Sequence, residues 1–354
     1  MNGSNHRRVE LRNAAYVGAA WAAVLLLVAA LLDPKAAGTG WLVGFVFWMQ
    51  ILVGSLTLVM IHRLTGGHWG EVAAPIVEPA TAAVPLLILL AIPLFIAVPV
   101  LYPWFGHASA IKPEVVSYYL NVPSFIVRAL LALGGWSALA LLLPRVNGRT
   151  GTLLAAQGLV FHALIISSVS IDWYLSLEAP FTSSSFGASV AISALVGALG
   201  LIALAAPMPE NDPGIGDIGG LFLASILGIT YIDFMAVLVI WYGDLPREEI
   251  WFVERDHWPW SALAAAAFLL TSVLPAFALL LSKVRRARRP LRAIGACVLI
   301  GLVCYDIYLI APPAGGRAVL TAFLAVAGIG LALSGLYLGG VTTLLPPREP
   351  ANAR

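Results

Sequence analysis

Eight side chains in this sequence sit where an oily setting demands an explanation: Arg128, Asp172, Glu178, Asp233, Asp306, Tyr308, His162 and His62. An ionisable group deep in a membrane helix costs about 2.5–3.5 kcal/mol on an insertion scale, so each must be paired, hydrated or in use. One guanidinium, several carboxylates and the phenols Tyr305 and Tyr308 make a kit for an ion pair, a proton path or a pocket for a quinone headgroup. The plainest reading is that Arg128 is neutralised by one acid to hold two helices together. Arg128 can offset one or two acids, and the rest then need protons or water.

The histidines carry less. His162 falls near mid-membrane beside Ser167, Ser168 and Ser170, where an imidazole is either a proton stepping stone or a hydrogen-bonded core residue. His62 closes the second apolar run. A haem b needs two imidazoles at one depth, and these differ by roughly ten residues, or about 15 Å at the helical rise. His68, His107 and His257 lie in predicted loops with no partner motif.

The setting itself follows from composition. Of 354 residues, 60% are hydrophobic and 11% charged, and the mean hydropathy is +0.92. Soluble domains are nearer half apolar, so this is an integral membrane protein. A net charge of +2 gives no argument for nucleic acid. Cys297 and Cys304 are seven apart, roughly on one face of one predicted helix, and no CxxCH, CxxC or GxGxxG occurs. The chain therefore shows no means of holding c-type haem, an iron–sulfur cluster or a dinucleotide.

Apolar runs of roughly 20 residues, enough to cross about 30 Å of hydrocarbon, fall near 14–32, 41–61, 82–102, 123–143, 152–173, 188–207, 217–241, 259–282, 291–311 and 318–340. The expected architecture is all-α and polytopic, with about ten transmembrane helices. Residues 1–13 and 345–354 are read as cytoplasmic tails and 14–344 as one transmembrane domain. The basic N-terminal stretch resembles a signal peptide, but its long apolar run and the lack of a clear cleavage site make it a retained anchor.

With the N-terminus inside, fourteen of the twenty Lys and Arg residues face the cytoplasm and five lie outside, which supports two cytoplasmic termini. The run KVRRARRPLR reads as a cytoplasmic loop. Small residues in ASVAISALVGALGLIALA permit close helix packing. Pro93 and Pro99 in the third span and Pro275 in the eighth, five helices later, could mark matching kinks of a transporter site. That orientation brings Arg128, Asp172, Asp233, Asp306 and Tyr308 toward the outer side, with Glu178 in the loop beyond. The outer loop WYGDLPREEIWFVER reads as an interface belt and docking surface.

Five blocks together resemble one family. HRLTGGHWG at 62–70 is similar to HxLTGGxWG, YLNVPSFIVR at 119–128 to YLNxPFFxxR, and IDWYLSLEAPFTSSSFG at 171–187 to DW-x-x-SLE followed by S-x-x-FG. IWYGDLPREEIWFVER at 240–255 resembles IWYxNLPEExxWxxxR, and DIYLIAPP at 306–313 resembles D-x-Y-x-x-x-P. The patterns are those of the NrfD-like membrane subunits, in particular the ActF-like subunits of alternative complex III, a quinol:electron-acceptor oxidoreductase. Two positions depart: Pro180-Phe181 stands where that family has His-Trp, and Asp233 where it has an uncharged polar residue.

The resemblance implies two four-helix bundles with two flanking helices, in a bacterial inner membrane. It implies a chain that binds no cofactor itself, beside a second NrfD-like subunit and periplasmic subunits carrying iron–sulfur clusters and haem c. Quinol would be oxidised on the partner or in a shared pocket. This chain would scaffold the assembly and conduct protons through Asp172, Asp233 and Asp306, as part of an enzyme and not an enzyme alone. Two rival readings are a self-contained secondary transporter with an Arg/Asp site and an inert assembly platform.

Overall fold

The computed structural model describes residues 2–106, 113–178, 181–209 and 212–340. His107, Lys112, Pro180, Arg348, Arg354 and the tail 345–354 lie outside the described residues. The protein is all-helical, with no strand among the described residues. Nine of the described helices are long and apolar enough to cross a membrane, or ten with one bent pair counted as a span. It is a multi-pass membrane protein.

Helix α1 (Asn2–Leu32) starts well before its apolar run, and α2 (Pro34–Thr65) follows after a single residue. That residue, Asp33, accepts from the Ala36 amide at 3.1 Å, while Pro34 occupies the first turn, where its missing N–H leaves nothing unsatisfied. Gly66, at φ +68, closes α2 in a conformation other residues resist. The third span is broken into α3 (Trp69–Ala83) and α4 (Leu86–Leu101), bent by 48°. The bend falls at Val84-Pro85, whereas Pro93 and Pro99 sit within α4 without interrupting it. Pro85 cannot donate a ladder hydrogen bond and its ring crowds the preceding turn, so the chain turns there.

A short α5 (Pro113–Tyr118) precedes α6 (Val122–Leu142) and α7 (Gly148–Trp173). Then come α8 (Phe186–Ala205), α9 (Pro213–Tyr242) and α10 (Pro246–Val253), which lies outside the spans. The eighth span joins α11 (Trp260–Phe268) to α12 (Leu274–Leu280) through a π-helical turn at Leu269–Val273, just ahead of Pro275. After α13 (Ser282–Arg285), α14 (Arg288–Ile310) and α15 (Arg317–Gly339) complete the chain.

Helices α2, α3/α4, α6 and α7 pack as one four-span bundle, and α8, α9, α11/α12 and α14 as a second. Helices α1 and α15 pair with each other and flank α2. The hub is α2: its most apolar stretch is 89% buried, against 17% for α1. Small residues make that hub work. A Cβ on Gly54 would collide with the Ala194 carbonyl, and one on Gly44 would meet Ala325 at 2.7 Å. Helices α8 and α15 can approach α2 that closely only because no side chain intervenes.

Candidate functional site

Helix α7 ends at Trp173 and passes through a tight turn at Leu175–Glu178 before α8 begins. Four polar groups gather around this end of the molecule. Arg128 from α6 grips Asp172, at the last turn of α7, through Nε at 2.7 Å and Nη2 at 2.8 Å, a bidentate pair. The Tyr119 ring lies under the guanidinium, 3.7 Å from its carbon. Burial, and then the Asp172 carboxylate, push the Tyr119 hydroxyl above the ordinary tyrosine range.

Two residues on, Tyr174 is buried and accepts from the Gln50 amide at 2.7 Å. The same Gln50 nitrogen donates to Asp306 Oδ1 at 2.9 Å, so α2 links the end of α7 to α14. Asp306 is fully buried, and among the described residues no cationic side chain lies within ion-pair distance of it. Its neighbour Tyr305 points to the second bundle, where Ser189 Oγ lies 3.2 Å from the phenol and donates to Asp233 at 2.6 Å. Asp233 likewise has no cation among the described residues.

The fourth group closes the loop side. Arg255, 2% exposed, ion-pairs with Glu178, donates to the Trp251 carbonyl at 2.9 Å and lies 3.6 Å from the Trp251 ring centroid. Trp251 donates to Glu178 at 2.9 Å and meets the Tyr308 ring edge-on at 5.6 Å. Phe181 stacks on Trp251 at 4.6 Å. A recess between these groups is lined by Tyr174, Leu175, Glu178, Phe181, Phe186, Trp251 and Leu309.

Six of the eight residues singled out by sequence therefore meet at one end: Arg128, Asp172, Glu178, Asp233, Asp306 and Tyr308. They form four linked clusters and not one pocket. His162 stands apart on α7, 6% exposed, its ring 5.9 Å from Trp136 and its Nδ1 without a hydrogen-bond partner. His62 is at the far end of α2, bonded to the Gly67 carbonyl at 2.9 Å and edge-on to Trp69 at 5.0 Å. Sequence reasoning missed Gln50, Tyr174 and Ser189, which join the clusters. Search for charge passes over them, although a lone Gln in the middle of an apolar span is a signal.

The fold and this site define a polytopic helical membrane protein with a buried acid–hydroxyl network across its two bundles. No protein-family model matches the chain, and no curated protein matches it.

Proposed function

We propose that this chain is a cofactor-free integral subunit of a respiratory quinol-oxidising complex of the alternative complex III type. It would sit in a bacterial inner membrane with both termini in the cytoplasm, beside a second NrfD-like subunit and periplasmic subunits bearing iron–sulfur clusters and haem c. One observation carries the reading: residues of blocks far apart in sequence bond to one another. Arg128 of 119–128 pairs with Asp172 of 171–187, and Glu178 of the same block pairs with Arg255 of 240–255. Tyr308 of 306–313 packs on Trp251. Four motif blocks that share one end of the molecule are better explained by a common function than by four local coincidences, while the fifth, 62–70, lies at the far end of α2.

Within the complex, quinol oxidation belongs to the partner or to a pocket shared with it, and this chain's residues hold and move protons. Asp233, Ser189 and Tyr305 form one leg, Asp306, Gln50 and Tyr174 the other, and the α7 turn leads to Asp172. Within each leg the contacts are within hydrogen-bond reach, as proton transfer requires, and the legs adjoin through the neighbouring positions Tyr305 and Asp306 of α14. The Glu178–Arg255 clamp holds the loop side as a docking platform.

Isolation in mild detergent should yield the chain together with haem- and cluster-bearing subunits, seen in the absorption spectrum and by subunit mass. Purification as a lone polypeptide without redox partners would overturn the assignment. An inert platform would keep turnover and proton release when Asp306 or Asp172 becomes Asn in an intact complex; a conducting subunit would lose proton release. The transporter reading draws on the interruptions of the third and eighth spans, five helices apart. It requires solute uptake by the single chain in liposomes.

A further inference from the structure

Three of the buried oxygens without a hydrogen-bond partner come from helices that touch one another: Gln50 Oε1, Ser193 Oγ and Asp306 Oδ2. Their residues are 2%, 1% and 0% exposed. They come from α2, α8 and α14, the three helices that meet where the two bundles join. Packing fixes their level. A Cβ on Gly197 of α8 would touch both Ile51 of α2, at 3.2 Å, and Leu302 of α14, at 3.5 Å. One helical turn from Gly197 toward the α7–α8 loop is Ser193, one turn from Leu302 in the same direction is Asp306, and Gln50 adjoins Ile51.

The orphaned Ser193 hydroxyl departs from the commoner pattern in this protein, as Thr81 of α3 also does. Ser55, Thr57, Ser137, Ser225, Thr230 and Thr271 each donate to the carbonyl four residues back, the default for a hydroxyl in an apolar helix. Ser193 makes no such bond. The Gln50 nitrogen is already committed to Tyr174 and to Asp306 Oδ1, so its carbonyl oxygen is the free face of the amide. Groups of this kind without a partner in a dry interior have given up their hydration for nothing, and a carboxylate gives up the most.

We propose that Gln50, Ser193 and Asp306 hold a small monovalent metal cation of the size of sodium. All three donors are oxygens, which hard cations prefer and soft metals do not. A single carboxylate balances one positive charge, which argues against a divalent ion. The junction is tight, as the Gly54 contact with Ala194 shows, and so favours a compact ion stripped of its water. The titratable groups coupled electrically to Asp306 are Tyr174 and Tyr305, with Asp233 beyond Tyr305. Arg128 and Arg255, the cations of the adjoining clusters, are engaged by other acids. The site stands whether or not the chain belongs to a respiratory complex.

The test uses the full chain in mild detergent, with whatever subunits accompany it. Sodium chloride is compared with choline chloride at equal ionic strength. At about a hundred times its Kd, sodium should raise the unfolding midpoint by roughly 3–4 °C for a chain of this length. The shift should shrink as the pH falls and protons compete for the carboxylate. Direct binding of radioactive sodium should approach one ion per chain, weaken several-fold in Ser193→Ala and vanish in Asp306→Asn. If Asp306→Asn does not fold, Ser193→Ala carries the comparison. Equal midpoints in sodium and choline at alkaline pH, or binding that survives both substitutions, would overturn the proposal and leave water or a proton as the occupant.

Discussion

The two acids at the loop side and the two at the bundle junction meet the same problem in opposite ways. Asp172 and Glu178 each hold an arginine, whereas Asp306 and Asp233 hold only uncharged hydroxyl and amide groups. A guanidinium beside a carboxylate fixes both charges and locks two elements together. A carboxylate among neutral donors keeps its charge state open to whatever small cation can reach it. The rim is built to stay put, and the junction is built to exchange.

That contrast can be broken experimentally. The largest effect should come from Arg128→Ala, which strands Asp172 and should cost about 3–5 kcal/mol in a thermal or detergent-resistance assay. Replacing both partners with Leu should recover most of the loss, because the penalty lies in the unpaired charge. Next, Gly54→Ala would drive a methyl into the Ala194 carbonyl and should cost about 1–3 kcal/mol or more, read in the same assay. Third, Arg255→Ala should loosen α10, seen as faster amide exchange across 246–253 with the spans still protected. Ser189→Ala should lower stability by only about 1 kcal/mol. Asp306→Asn, in sodium-free buffer, should be near neutral or stabilising, since it strands no cation. A loss as great as that of Arg128→Ala would erase the distinction between rim and junction.

Much of this was legible in the residues. Nine of the ten apolar runs coincide with helical spans, and the third, 82–102, covers the second half of a bent one, because twenty apolar residues in a row have few other solutions. The expected gathering of acids toward one end also holds, since helix direction alternates and depth can be counted at 1.5 Å per residue. Counting depth does not give rotation about the helix axis, so the partners of Arg128 and Glu178 could not be chosen from sequence. Residues 69–83 fall outside the ten apolar runs, yet they form the first half of the third span, a helix that contains Pro75 and Pro79. Gln50, Ser189 and Ser193 stayed invisible for a different reason. Uncharged polar residues are cheap enough to scatter through any membrane helix, and only packing reveals which ones converge.

Helix α14 hands Tyr305 to one bundle and Asp306 to the other from adjacent positions. A twist of that helix about its long axis would withdraw one side chain as it advanced its neighbour, as the arms of a seesaw do. The two halves of the molecule thus share a pivot at α14, and the Asp306–Gln50 and Tyr305–Ser189 contacts register its motion together.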